Sequence, residues 1–311
     1  MVSIQTVDAL VLQMVLFYGF IIAGYVLAQL SGKNHLINKR FNSILINILV
    51  PLLVFYVLVT YTTSSLIEIP VYLFLAVLIQ TLGPALIFLR LRGRSMELPT
   101  RGSFYICSTF NNALFIPLPL VLMTMGSIGT PFVVLFSLSQ MILIVTLGSV
   151  MGATFSGKEA GWYPVARDSF LFPPFLAALL ALFFIIGGIG LPSYVSTILS
   201  YNSSITTYLA LLSVGLGLGM RFSLADIKLA LNVVAVRQFI IPLIVLPIIV
   251  LSGLSQVPQQ VLLLESLMPP AVLTAVYASG FDLDVEIAST IVTVGTILLL
   301  PMIPIIIFLL F

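Results

Sequence analysis

The sequence predicts an all-α membrane protein of ten transmembrane helices in two inverted five-helix repeats, with the fourth and ninth helices broken. Three observations predict it. The 311 residues are 60% apolar and 7% charged, whereas a soluble domain carries about 25% charged residues. The few charges form short clusters separated by apolar stretches of about 20 residues, the length a helix needs to cross about 30 Å of hydrocarbon. Finally, the lysines and arginines between helices fall in every second connecting segment, as a correct helix count requires.

Reading apolar runs against proline, glycine and charge places the first five spans near Val7 to Leu30, Ile37 to Thr60, Ile69 to Leu89, Gly102 to Met125 and Thr130 to Ala153. A polar stretch from Phe155 to Asp168 follows. The second five run near Phe170 to Gly190, Ser204 to Met220, Leu229 to Leu251, Gln259 to Ser279 and Val285 to Leu310. The domains expected are therefore a first repeat over residues 1–154, a connecting loop over 155–169 and a second repeat over 170–311. The first apolar stretch has no basic segment before it, so it is read as a retained helix rather than a cleaved signal.

Lys33, Lys39 and Arg40, then Arg90, Arg92, Arg94 and Arg101, then Lys158 and Arg167, then Arg221 and Lys228 fall in one set of connecting segments, and the opposite set holds no Lys or Arg. By the positive-inside rule the basic segments are cytoplasmic, which puts both termini outside a multi-pass cell-membrane protein. Arg237 falls inside the eighth span near its cytoplasmic end and is expected to snorkel to the interface. Because each half has an odd number of helices, the halves enter the membrane from opposite sides, the inverted repeat of many transporters.

The fourth span carries Asn111, Asn112, Pro117 and Pro119, and the ninth carries Glu265, Met268, Pro269 and Pro270. A proline inside a helix removes a donor and clashes with the preceding turn. In lipid the freed carbonyls must find partners, so such backbone survives only where protein or a polar cavity surrounds it, and there it can bind ions and anions. Transmembrane helices also tolerate ordinary proline kinks, and Pro51, Pro84, Pro242, Pro247, Pro301 and Pro304 include several of these. The candidate substrate residues are Asn111, Asn112, Pro117, Pro269 and Pro270. The asparagine amides can serve a cation through oxygen and a carboxylate through nitrogen. Glu265, about 7 to 8 Å inside the ninth helix when counted from Gln260, is the candidate for coupling to an ion, because a carboxylate at that depth marks an ion or proton pathway. Gln80, Ser139 and Gln140 join it as ion-coupling candidates, and Ser137 is a further polar group at depth.

Other features read as structural. Asp282, Asp284 and Glu286 precede the tenth helix and suit capping better than metal binding. Gly215 and Gly219 suit close helix packing or a dimer face. One cysteine, Cys107, and one histidine, His35, leave no metal-ligand set. No cofactor is expected beyond a coupling H+ or Na+. Trp162, Tyr163 and Pro164 suit a short interfacial segment.

Ile48, Leu49, Val50, Pro51, Leu52 and Leu53 in the second span, and Met268, Pro269, Pro270, Ala271 and Val272 followed by Tyr277 in the ninth, together with the order of the helices, resemble the auxin efflux carrier family over nearly the whole chain. The resemblance implies broken helices that cross at the substrate site, an alternating-access, elevator-type carrier of organic anions such as auxin, malate or malonate, and a homodimer. The long cytoplasmic loop of the plant carriers is absent, as in a compact prokaryotic member. A more distant resemblance is to the bile acid:sodium symporters. Glu265 stands where their ninth helix has a glutamate, and Asn112 and Gln80 can match other sodium-site positions, but Pro269 and Pro270 replace two amides.

The expected function is a secondary active transporter of a small organic anion; a sodium-coupled symporter of bile-acid-type anions is the alternative. The sequence holds no HExxH and no paired aspartates within a span, which argues against a membrane-embedded enzyme. It also holds no recognisable filter for a channel. The partners expected are the anion, the lipid bilayer and a second copy of the chain, with no nucleic acid.

Overall fold

Long runs of Leu, Ile, Val and Phe satisfy their own backbone only as helices when no water is at hand, and all the regular elements among the described residues are helical. The computed structural model describes residues 4–31, 35–60, 68–156, 171–218 and 223–310. Twelve helices are numbered here in chain order. They are α1 (Ile4–Leu30), α2 (35–60), α3 (Glu68–Leu91), α4 (Leu98–Thr109), α5 (Pro117–Met125) and α6 (Thr130–Ser156). After these come α7 (Pro173–Ile186), α8 (Ser193–Leu218), α9 (Ile227–Val250), α10 (Gln256–Ser266), α11 (Leu273–Gly280) and α12 (Val285–Leu310). Within the described residues, six runs are long and apolar enough to cross a membrane: Val11–Leu30, Arg40–Thr60, Glu68–Leu91, Thr130–Ser156, Ile227–Val250 and Val285–Leu310. Large apolar side chains face outward, as with Ile186 at 80% and Phe308 at 86% exposure, which lipid tolerates and water does not.

One expectation is corrected here and another holds. The seventh span starts at Ser193 rather than Ser204, because Ser196, Thr197, Ser200, Ser203 and Ser204 hide the apolar run; Thr197, Ser200 and Ser204 return their hydroxyls to the helix's own carbonyls. The run Asp282, Asp284, Glu286 is a cap, as expected: Asp284 Oδ1 accepts from the Ile287 N–H at 3.0 Å and its Oδ2 from Thr100 Oγ1 at 2.8 Å. Gly219, Trp162, Tyr163, Pro164, Lys158 and Arg167 lie outside the described residues.

The chain divides into two compact units, one of Met1–Thr63, Leu118–Val134 and Phe170–Met220, the other of Ser64–Pro117, Leu135–Ser169 and Arg221–Phe311. Each takes segments from both halves of the chain. In the first unit α1 lies against α8. A Cβ on Gly24 would stand 2.1 Å from the Leu212 carbonyl oxygen, and one on Gly215 would stand 2.0 Å from that of Ile21. Glycine alone lets the two backbones approach this closely. α2 widens into a π-helical turn at Leu45–Leu49, and the Asn202 amide on α8 donates to the Leu49 carbonyl at 3.1 Å.

In the second unit α3, α4, α9, α10, α11 and α12 pack together. There too glycine sets a close approach, since a Cβ on Gly83 of α3 would stand 1.9 Å from the Ser108 carbonyl oxygen of α4. All the predicted site residues belong to this unit.

Candidate functional site

Proline chemistry interrupts the chain between α4 and α5 and between α10 and α11. The α region is disfavoured for a residue preceding proline, so Ile116 before Pro117, Met268 before Pro269 and Pro269 before Pro270 each resist helix. α4 accordingly stops at Thr109, with Phe110 extended, and Pro117 opens α5, where its missing N–H costs nothing. α10 stops at Ser266, and α11 begins at Leu273.

The backbone freed by one interruption pairs with that freed by the other. Asn111 and Pro270 form an antiparallel bridge, in which the Asn112 N–H donates to the Pro269 carbonyl at 2.8 Å and the Ala271 N–H to the Phe110 carbonyl at 3.0 Å. Asn111's own backbone is completed by a side chain. Gln140 on α6 accepts from the Asn111 N–H through Oε1 at 3.2 Å and donates to its carbonyl through Nε2 at 2.8 Å. Gln140 thus acts as a one-residue strand, and this interaction occupies both its polar atoms.

The Asn111 side chain continues the network. Its Nδ2 donates to the Glu265 carboxylate at 2.9 Å and to the Glu265 carbonyl at 3.1 Å. Asn112 Oδ1 accepts from the Phe115 N–H at 3.1 Å and so fixes the turn leading to Pro117. Ser139, the neighbour of Gln140, accepts from Gln80 Nε2 at 3.1 Å and donates to the Phe136 carbonyl at 2.7 Å. The structure therefore gathers Asn111, Asn112, Pro269, Pro270, Glu265 and Gln140 around the bridge, while Gln80 bonds to Ser139, the residue beside Gln140. Pro117 shapes the break from its far end, and Ser137 is buried without entering this network.

Glu265 and Asn111 are fully buried. Three acceptor oxygens of the network, Glu265 Oε1, Asn111 Oδ1 and Gln80 Oε1, have no hydrogen-bond donor. Such groups are costly to bury unmatched, which makes them candidates for pairing with a ligand or ion. Among the described residues no group of three His, Cys, Asp or Glu side chains is spaced to hold a metal. Cys107 packs its thiol against Thr274 Oγ1 at 3.5 Å, in keeping with a structural role. The side chain of His35 lies outside what the structure describes.

Arg237 overturns its expectation. Its guanidinium is fully buried, and Nε, Nη1 and Nη2 have no acceptor, so it does not reach the interface. Two causes account for this. α9 starts at Ile227, which sets Arg237 about 15 Å along the helix. In addition, residues Val236–Ile240 form a π-helical turn that buries Val236, Arg237 and Gln238 together. Such turns often occur at functional sites. Gln238 donates from Nε2 to the Gly295 carbonyl at 3.1 Å, and a Cβ on Gly295 would stand 3.1 Å from Pro270 and 3.3 Å from Pro269. Gln238 thus borders the bridge. The sequence signal was two adjacent polar residues, Arg237 and Gln238, in an otherwise apolar run.

Comparison with known proteins supplies the family. Residues 9–161 and 163–307 match the model of a family described as membrane transport protein. An "uncharacterized transporter" of Methanothermobacter thermautotrophicus is 26% identical over 285 residues, covering 91% of this chain and 93% of that protein. "Uncharacterized transporter MJ1031" of Methanocaldococcus jannaschii is 26% identical over 269 residues, covering 83% and 85%. With a family match over nearly its whole length and archaeal relatives of similar size, the chain belongs to the auxin efflux carrier family of membrane transport proteins and is a compact, prokaryotic-type member.

Proposed function

We propose that the chain is a secondary active carrier that moves a small organic anion by alternating access. The observation that carries this reading is the meeting of two interrupted helices at the Asn111–Pro270 bridge, with fully buried Glu265 held by Asn111. Interrupted helices at membrane depth present free amides and carbonyls, which suit an anion and its coupling ion. In this reading α4 with α5 and α10 with α11 are the fourth and ninth of ten spans. They cross between inverted repeats over residues 1–154 and 170–311. Asn111, Asn112 and the backbone near Pro117, Pro269 and Pro270 line the anion site. Glu265, with Gln80 and Ser139, couples its movement to an ion. Gln140 supports the site by holding Asn111. The protein sits in the cell membrane as a homodimer with both termini outside, and an elevator-type movement carries the site across.

A sodium-coupled symporter is the second reading, favoured by the three unmatched buried oxygens of Gln80, Asn111 and Glu265, since oxygen ligands suit hard cations. The family consists of transporters, which favours either reading over an enzyme. The test is uptake of labelled malonate, malate and indole-3-acetate into proteoliposomes under imposed proton or sodium gradients. Wild type should accumulate at least one anion against its gradient, and Glu265→Gln should remove the dependence on the driving ion. If none of these anions moves or binds, the organic-anion reading fails.

A further inference from the structure

A guanidinium stays charged at neutral pH and carries five donors in a planar fork. Arg237 holds that fork fully buried within α9, and none of its nitrogens meets an acceptor. Among the described residues its one charged partner is Glu265, which it attracts without hydrogen bonding. Of the other ionisable groups on the helices packed against this pair, Arg101 of α4 donates to the Arg94 carbonyl at 3.2 Å and Cys107 of α4 meets Thr274 Oγ1 at 3.5 Å. Glu68, hydrogen-bonded to Ser255, and Arg90, bonded to Asn232, lie at opposite ends of α3, and Tyr72 is buried between them. Lys228 is exposed at the start of α9, and Glu286 is exposed in the first turn of α12.

We propose that Arg237 is a ligand for the carboxylate of the transported anion and that Glu265 is its internal competitor, so that each anion binds together with one proton. This rests on the reading of the bridge region as an organic-anion site. A planar carboxylate can take two of the fork's parallel donors, which a single carboxylate oxygen at a distance cannot satisfy. An ionised Glu265 opposes that binding twice, by neutralising Arg237 and by repelling the incoming negative charge. Protonation removes both effects. The geometry assigns the proton to a stated atom: Asn111 occupies Oε2, and Oε1 has no partner. Once protonated, Oε1 becomes a donor for the anion's second oxygen. The site's charge is then the same before and after binding, so desolvation of an uncompensated charge is avoided in both states. Gln238 anchors the π-helical turn to Gly295 beside Pro269 and Pro270, and so ties the position of Arg237 to the bridge.

The test is equilibrium binding of labelled malonate and indole-3-acetate to the purified full-length protein in nanodiscs, over a range of pH at fixed sodium. Wild-type affinity should be flat at low pH, where Glu265 is already protonated in the empty site, and should fall about tenfold for each unit rise in pH once Glu265 ionises there, the slope of one linked proton. Glu265→Gln should bind with an affinity that no longer changes with pH. Arg237→Gln should lose at least about tenfold in affinity, with Arg237→Lys intermediate, because an ammonium keeps the charge and loses the fork. Wild-type affinity in both arginine variants would overturn the proposal, as would a wild-type pH slope in Glu265→Gln or a dependence on sodium in place of protons. If wild type binds neither anion, the anion reading is what fails, and melting temperatures then judge the pair. A double variant Arg237→Gln/Glu265→Gln more stable than either single one supports the pairing, and additive losses refute it.

Discussion

The α1–α8 contact of the first unit and the bridge region of the second solve opposite problems. Along α1 and α8 the backbones touch because Gly24 and Gly215 have no side chain, and Phe20 stacks on Tyr208 with ring centroids 5.0 Å apart. Close fit does all the work there. Around Asn111 and Pro270 the backbone is partly unwound, and hydrogen bonds take over: a two-bond bridge, the Gln140 amide, and Asn111 on Glu265. The first region leaves its close contact free of unmatched charge, while the second retains unmatched oxygens and a buried cation. Stability without chemistry and chemistry at the cost of stability are thus built in separate places.

Substitutions can break this contrast. The largest expected effect is on fit. Gly215→Leu places a side chain where even a Cβ stands 2.0 Å from the Ile21 carbonyl oxygen, so it should forfeit about 3 kcal/mol or more. It would be read as loss of monodisperse protein in detergent. Next is Gln140→Leu, which leaves the Asn111 N–H unpaired inside the protein, while the Asn111 carbonyl keeps the Ala113 N–H at 2.9 Å. At about 1 to 3 kcal/mol for a buried unmatched group, the variant should melt earlier and lose transport, whereas Gly215→Ala, if it folds, should keep the wild-type ion dependence. Smallest is Asp284→Ala, which removes the cap of α12 and should cost about 1 kcal/mol, seen as a lower melting temperature with uptake unchanged. If Asp284→Ala abolished ion dependence instead, the division between fit and chemistry would not hold.

Much of this was legible in the sequence because proline acts locally. Pro117, Pro269 and Pro270 disfavour helix at the residues before them, and the polar residues beside them set these prolines apart from Pro51, Pro84 and Pro247, which sit within helices, so both interruptions could be placed in advance. The asparagines and the glutamate beside them marked the polar shell. Gln140 was found as a polar residue at depth, but its role was not, because pairing with Asn111 depends on which backbone groups the fold leaves bare. Arg237 was misplaced for a related reason. Its depth follows from where α9 begins and from a π-helical turn that no apolar pattern records.

The bridge also bears on how the chain is made. The Gln140 partner of Asn111 lies 29 residues further on, but Glu265 lies 154 residues further on. At about 5 to 20 residues per second, Glu265 leaves the ribosome about 8 to 30 s after Asn111. During that interval the first interruption is in the membrane with its other half unmade. Gln140 can cover Asn111's backbone through the wait, but nothing made by then can occupy the place of Pro269 and Pro270. A chain stopped before α10 therefore carries an open break, a defect that membrane quality control can recognise as incompleteness.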